Sequence, residues 1–257
     1  LGGGGFWAAT LYAALDQTTL SSNNGGKGPG GGAYFSADLA EIFDNSITNN
    51  ETAGNGGALA MAEVRGSSLL RNIITGNRVR RDVTSSTVTL QEDVVIQQTG
   101  QVIARAGDVV TGESVTEGTG GGLHLVNAHV VMVENTIRNN VNLAGEGGGI
   151  YANGGGFTMT NNLVVQNRTA ISTVYGSGIY LINGLANIRH TTIADNRNTS
   201  SDPSAMAVGI YVTKGATETS ALNMVNSIVA GHQQGMLLLT GNTSELRHNV
   251  FFNTEGD

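Results

Sequence analysis

A short phrase that recurs along the chain constrains the fold more than any other feature of the sequence. It consists of Asn or Thr, any residue, an aliphatic residue, two further residues and Asn, as in Asn45–Asn50. Copies begin at residues 18, 45, 72, 135, 162, 191, 226 and 249, and three of the steps between them are 27 residues long. A glycine run followed by an apolar and an aromatic residue, as in Gly147–Tyr151, precedes most copies at a nearly fixed distance. Two linked phrases with a period in the twenties predict a solenoid.

The apolar residues within each period alternate with other residues, which indicates strands and not helices. In Phe157-Thr158-Met159, for example, two apolar residues flank a polar one. A leucine-rich repeat, the main alternative at this period, needs a leucine consensus that the sequence lacks. Aligning the periods gives three apolar columns, which predict three short inward-facing strands per coil. The columns contain Phe6, Ala33, Leu123, Ile150 and Ile179; Leu15, Ile42, Leu69, Met132, Met159, Ile188 and Leu246; and Leu20, Ile47, Ile74, Ile137, Val164, Ile193, Ile228 and Phe251.

The Asn that ends each phrase forms a column of its own. Asn tolerates left-handed backbone geometry, and its amide can hydrogen-bond to the copy in the next coil. We therefore interpret the column as an architectural ladder at a corner of the coil. Arg78, Arg168 and Arg197 directly follow this column and are expected either to extend over the corner or to hydrogen-bond to carbonyls there. The predicted ladder consists of Asn23, Asn50, Asn77, Asn140, Asn167 and Asn196.

The composition excludes several classes of protein. The 257 residues include 38 Gly, 2 Pro and no Cys, so neither a disulfide scaffold nor a Cys-based metal site can form. Thirteen basic residues against twenty acidic ones disfavour nucleic-acid binding, and no apolar run has the length of a transmembrane helix. No calcium repeat, phosphate loop or hydrolase motif occurs. We therefore predict no metal, no cofactor and no catalytic residue.

The repeats resemble the right-handed parallel β-helix family, the pectate-lyase-like superfold. More narrowly, phrases such as Gly56-Gly57-Ala58-Leu59 resemble repeats of bacterial cell-surface β-helix proteins, among them the chlamydial polymorphic outer-membrane proteins. The resemblance implies an all-β, right-handed, single-stranded parallel β-helix of about eight coils of about 27 residues. We expect one domain over residues 1–257.

One step between phrases is 63 residues long, which is one period plus about 36 residues. Residues 79–118 contain neither phrase but do contain strand-like runs such as Val83–Val88. We predict that this segment leaves the β-helix as a β-hairpin-like insertion. An irregular additional coil is the alternative.

The candidate binding residues form an outward column next to the glycine runs, because neighbouring residues of a strand face opposite sides. An aromatic ladder there can stack on sugar rings. The alternatives are packing beneath loops, mutual stacking within the sheet or a protein interface. The column is predicted to contain Trp7, Tyr34, Leu59, His124, Tyr151, Tyr180 and Tyr211.

The leading functional hypothesis is a secreted or cell-surface structural protein, adhesin-like and without catalysis, that binds a polysaccharide or a surface protein along this column. Neither end carries an obvious polar cap, and open strand edges favour end-to-end self-association. The alternative is a polysaccharide lyase or glycoside hydrolase, which the resemblance to the superfold implies. Asp44, Arg71 and Glu134, one residue before the phrase, are interpreted as a solvated charge ladder, with a catalytic trio as the alternative reading.

Overall fold

Each period of the sequence forms one coil, and successive coils pair through parallel strands in three sheets, here called A, B and C. The computed structural model describes residues 4–89, 91, 94–96, 101–105, 109–172, 176–216 and 218–252. This part of the chain contains no helix, and therefore no helix that is long and apolar enough to cross a bilayer.

Sheet A forms the first half of every coil and contains twelve strands. Residues with left-handed backbone lie in the middle of several coils and mark the boundary between two parts of sheet A: Glu63 (φ 57°), Asn127 (φ 47°), Gly154 (φ 71°) and Asn183 (φ 55°). The strand is interrupted at Glu63 and at Asn183 but continues through Asn127 and Gly154. The strands are Phe6–Asp16, Ala33–Phe43, Leu59–Ala62, Ser67–Leu70, Leu123–Val133, Ile150–Thr160, Ile179–Ile182, Leu185–Arg189, Val208–Thr213, Ala221–Val225, Gln234–Leu238 and Thr243–Arg247.

Sheets B and C complete each coil with much shorter strands. Sheet B consists of Thr19–Ser21, Ser46–Thr48, Ile73–Thr75, Thr136–Arg138, Leu163–Val165, Thr192–Ala194, Ile228–Ala230 and Val250–Phe252. Sheet C consists of Glu51–Thr52, Arg78–Val79, Val141–Asn142, Arg168–Thr169 and Arg197–Asn198.

The three predicted apolar columns line the interior, but their distribution over the sheets differs from the prediction. Two of them belong to the two parts of sheet A and the third to sheet B, as the pairing of Ile150 with Ile179 and of Met159 with Ile188 shows. Sheet C has no apolar column, because three of its four fully buried inward residues are polar. Those residues are Thr52, Val79, Asn142 and Thr169.

One residue of the predicted sheet B column was assigned wrongly. Val229, and not Ile228, pairs with Ile193 and is fully buried, whereas Ile228 is exposed. The error arises because this coil carries Ser227, and not Asn226, at the first position of the phrase, which shifts the alignment by one residue. Ser227 donates its backbone N–H to Asn249 Oδ1 at 2.9 Å, as phrase-initial residues do in other coils.

The predicted Asn ladder forms, with repeated hydrogen bonds between coils. In Asn50 both the backbone N–H and the side-chain amide donate to Asn77 Oδ1 at 2.9 Å, and the amide also donates to the Leu20 carbonyl at 2.9 Å. The ladder continues through Asn196 to His232, whose Nε2 lies 3.1 Å from the Asn196 amide. His232 therefore occupies the position of a further ladder residue, which the sequence analysis missed.

The expected left-handed conformation belongs to the residue before each ladder Asn and not to the Asn itself. Asn49 has φ 55°, Asn139 φ 53° and Gln166 φ 56°. The ladder Asn instead keeps its side chain inside the corner, where it is fully buried from Asn50 onward.

A second ladder runs along the first residue of each phrase. Asn72 donates its backbone N–H to Asn135 Oδ1 at 2.9 Å and its amide to the Ile42 carbonyl at 2.8 Å. The same arrangement joins Asn135 to Asn162. In later coils the hydroxyls of Thr191 and Ser227 replace the amide. The two ladders satisfy buried backbone groups at both ends of every sheet B strand.

Residues 79–118 leave the coil stack after Val79, which is still a buried member of sheet C. Asp82–Thr89 pairs antiparallel with Val109–Thr116, and Val94–Ile96 pairs antiparallel with Gln101–Ala104. Residues 90, 92–93, 97–100 and 106–108 of the predicted insertion lie outside the described residues, as do residues 1–3, 173–175, 217 and 253–257.

Candidate functional site

Four of the predicted binding residues form one continuous ring stack on sheet A. His124 and Tyr151 are parallel within 2°, with ring centroids 5.2 Å apart. Tyr180 follows at 5.4 Å and Tyr211 at a further 5.1 Å. The stack exists because parallel pairing places these residues in register in consecutive coils.

The two other predicted aromatic residues, Trp7 and Tyr34, lie outside the stack. Trp7 pairs with Tyr34, but Ala60 lies between Tyr34 and His124. Leu59, which the sequence analysis placed in this column, is instead a buried interior residue. The assignment failed because Ala58 occupies the position that Gly32 and Gly122 fill in neighbouring coils.

The ring stack is largely covered. His124 is 8 % exposed and Tyr211 7 %, while Tyr151 and Tyr180 are half-buried; Trp7 is 54 % exposed. The preceding loop contributes to the cover, since Thr119 Oγ1 lies 2.7 Å from His124 Nδ1. These contacts favour the packing interpretation of the column over a platform for sugar rings.

Burial also governs the titration of the stack. It lowers the pKa of His124 to about 4, so the ring is neutral at pH 7. It raises the pKa of Tyr151 and of Tyr180, and the neighbouring Glu146 carboxylate adds to both shifts. Burial raises the pKa of Glu146 itself, with a further contribution from Glu117. The stacked rings are therefore uncharged over the physiological pH range.

Two neighbouring open depressions on the outer face of sheet A, which share His129, are here together called the trough. Its first section has a volume of about 680 Å³ and its second about 400 Å³, and His129 lines both. The first section is lined by Thr10, Leu11, Asp38, Glu63, Arg65 and Asn127 among others. The second is lined by Gly66, Ser68, Val131, Gly156, Thr158, Leu185 and Asn187 among others.

The first section of the trough concentrates charged and hydrogen-bonding side chains. Asn127 donates its amide to Glu63 Oε1 at 2.8 Å, and Arg65 Nε lies 3.7 Å from Asp38 Oδ1. Asp38 and Arg65 are highly exposed. The sequence analysis singled out neither Asp38 nor Glu63, because neither belongs to a column of recurring residues.

Aromatic and apolar groups lie next to these polar groups. Leu11 is 77 % exposed, and Tyr12 is exposed beside it. The Tyr12 hydroxyl donates to Glu41 Oε2 at 2.5 Å, and this bond raises the pKa of Tyr12. The trough thus combines exposed apolar surface with carboxylates, a guanidinium, an imidazole and amides.

Asp44 and Arg71 form a separate ion pair at the corner between sheets A and B. Arg71 donates from Nε and Nη2 to the two Asp44 oxygens at 2.7 and 2.8 Å, which lowers the pKa of Asp44. Both residues and Glu134 have left-handed backbone. The same left-handed conformation recurs at Asn226 in a later coil. The paired geometry fits a charge ladder.

The described residues contain no group of three or more His, Asp or Glu side chains placed to hold a metal ion.

The stacked parallel coils, with their interior columns and polar ladders, define a parallel β-helix. The family described as "right handed beta helix region" matches residues 3–185 and 92–251, which together span nearly the whole chain. The protein belongs to this family. Searches among curated proteins and among solved structures found no match.

Proposed function

We propose that the protein is an extracellular or cell-surface β-helix that serves as a structural, adhesin-like scaffold and binds an extended neutral glycan in the trough of sheet A. The observation that carries this proposal is that the two sections of the trough meet at His129. The resemblance of the glycine phrases to cell-surface repeats supports the location.

The length of the trough suits an extended polymer. Its lining begins at Thr10 and extends to Asn187, which belong to coils five steps apart. At roughly 4.8 Å per step this gives about 24 Å, enough for several sugar residues. Because the trough is open to solvent along this length, a glycan chain can bind from the side and does not have to thread through an opening.

The chemistry of the trough favours a neutral glycan over a polyanionic one. Asp38 and Glu63 provide two carboxylates against the single guanidinium of Arg65. Carboxylates accept hydrogen bonds from sugar hydroxyls, and side-chain amides both accept and donate them. Exposed aromatic rings such as Tyr12 offer a flat apolar face to the C–H side of a sugar.

The test is glycan binding by variants of the trough, compared with a variant elsewhere. We expect the wild-type protein to bind a neutral polysaccharide or its oligosaccharides on a glycan array. His129→Ala and Tyr12→Ala should each weaken that binding, since their side chains lie along or beside the trough. Leu163→Ala is the matched control, because Leu163 is an exposed apolar residue on sheet B.

Three results would count against the proposal. The first is no binding to any neutral glycan, and the second is equal weakening by Leu163→Ala. The third is preferential binding of uronic-acid polymers, which the carboxylates should repel. Circular dichroism of each variant establishes that the fold is intact.

A second candidate function is glycoside hydrolysis in the same trough. The observation that favours it is the presence of Asp38 and Glu63 in adjacent coils, since paired carboxylates are the usual groups of glycosidases. A reducing-sugar assay tests it. Turnover that is lost in Asp38→Asn and in Glu63→Gln would support hydrolysis, whereas binding without turnover supports the scaffold.

A further inference from the structure

The outer face of sheet C carries a column of charged residues that is separate from the trough. Parallel register places Glu51 next to Arg78, then Val141, Arg168 and Arg197 in successive coils. These residues face outward, because their neighbours in each two-residue strand are the inward ones. The column therefore ends in two arginines that are direct partners.

Arg168 and Arg197 have no acidic partner among the described residues, whereas Arg78 of the same column does. Arg78, in the same column, lies 3.9 Å from Glu51. Neither Arg168 nor Arg197 has an ion pair or a side-chain hydrogen bond in the part of the chain that the structure describes. Six other basic residues do have ion pairs: Lys27, Arg65, Arg71, Arg78, Arg80 and Arg247.

Two like charges in register repel each other. Neighbouring strands lie roughly 4.8 Å apart, and like charges placed directly opposite one another in a sheet are destabilising. The repulsion is reduced when an anion lies between the two guanidinium groups. The protein has a net charge of −7, so an unpaired basic pair stands out against its surroundings.

A pocket of about 350 Å³ is lined by Arg168 and Arg197 together with Asn139, Gln166 and Asp195. No hydrogen bond within the described residues involves the side-chain amides of Asn139 or Gln166. Each amide can therefore donate to a ligand.

Asp195 is the one carboxylate in this lining. Its Oδ1 is turned toward Gly231, where a Cβ would clash with it. Gly231 belongs to the coil beyond Arg197, whereas Arg168 belongs to the coil before it. The carboxylate thus points along the stack in the opposite direction from Arg168.

We propose that Arg168 and Arg197, with the amides of Asn139 and Gln166, form a binding site for a tetrahedral oxyanion, the sulfate or phosphate group of a free ion or of a polymer. Guanidinium groups bind such oxyanions through parallel, charge-assisted hydrogen bonds. The site lies on sheet C and is independent of glycan binding in the trough on sheet A.

Titration calorimetry with inorganic sulfate and inorganic phosphate at pH 7 and constant ionic strength tests this site. We expect saturable binding of one oxyanion per chain, and the stronger of the two ions identifies the preferred group. Arg168→Gln and Arg197→Gln should each weaken binding by about tenfold or more, since each removes a charge-assisted contact. Competition by a sulfated oligosaccharide and by a phosphorylated one then distinguishes a polymer-borne group from the free ion.

Arg189→Gln is the matched control, because Arg189 is exposed, lies on sheet A and has no ion pair among the described residues. It removes the same charge from the protein and should change the affinity by less than about twofold. Absence of saturable binding to either ion by the wild-type protein would overturn the proposal. So would an equal loss in Arg189→Gln, which would mean that only the net charge matters.

Discussion

Replacement of Asn140 by Ala tests whether the ladder at the sheet B–sheet C corner holds the coils together. Asn140 is fully buried. Its Oδ1 accepts hydrogen bonds from the backbone N–H and the side-chain amide of Asn77, both at 3.0 Å. Its own amide donates to the Ile74 carbonyl and to Asn167 Oδ1, both at 3.0 Å. The substitution removes all four hydrogen bonds and leaves the backbone of residue 140 in place.

The size of the expected loss in unfolding free energy depends on which hydrogen-bonding groups lose their only partner. The amide of Asn77 keeps its bonds to the carbonyls of Ile47 and Thr75, and Asn167 Oδ1 keeps the backbone N–H of residue 140. The backbone N–H of Asn77 is left without an acceptor in a buried site, and the Ile74 carbonyl loses its amide donor. The stranded N–H costs about 1–3 kcal/mol. The Ile74 carbonyl, whose strand stays paired with Thr136–Arg138, adds about 1 kcal/mol, so we expect the unfolding free energy to fall by about 3 kcal/mol.

Urea unfolding followed by circular dichroism measures this change. Asn23→Ala is the control, because Asn23 lies at the first rung, is only partly buried and donates to Asn50 without accepting from another rung. We expect a loss of less than about 1 kcal/mol there. If Asn140→Ala costs no more than Asn23→Ala, the ladder does not hold the coils together and the reasoning is wrong.

Three further predictions concern titration of buried groups. Burial lowers the pKa of His124 and of His232 to about 4, while the unfolded chain binds these protons near pH 6.5. Between pH 6.5 and pH 4 the unfolded state therefore binds more protons than the folded state, and the unfolding free energy should fall by up to about 3 kcal/mol per histidine. Urea unfolding at several pH values measures this fall. His232→Asn should remove its share of this pH dependence and extend the ladder, so a variant with the wild-type pH profile would refute the ladder role. In an ultraviolet absorbance titration, Tyr151 and Tyr180 should ionise above the usual range near pH 10, and a single transition at that pH would contradict their burial.

The sequence predicts the β-helix well because the same physical requirement recurs in every coil. Each sheet B strand needs one aliphatic side chain inside and one hydrogen-bonding side chain at each end, which produces the phrase seen at Asn45–Asn50 and at Asn162–Asn167. The alignment fails where a coil satisfies the requirement with another residue. Ser227 replaces an Asn, Ala58 replaces a Gly, and His232 replaces the last ladder Asn.

The candidate sites were harder to predict because they depend on which positions remain uncovered. Alternation correctly placed Tyr151 and Tyr180 outside the coil, but only the loops around them decide that they are covered. The trough acids Asp38 and Glu63 belong to no column of recurring residues, although Asp38 lies within the continuous strand Ala33–Phe43. A signal was present, since Glu63-Val64-Arg65 puts charges into an otherwise weakly charged repeat, at a position that Asn127 and Asn183 fill in other coils.

The arginine pair illustrates what a repeat leaves free to vary. In the coil that contains Arg168, the preceding Asn167 is fixed by its ladder bonds and the following Thr169 by burial. The outward position between them has neither constraint, and it holds Glu, Arg or Val in other coils. Arginines at these two neighbouring positions are thus not required by the β-helix fold, and their like charges repel each other. A ligand that bridges them supplies the compensating attraction, which is why the calorimetric comparison with Arg189→Gln bears on function and not on folding.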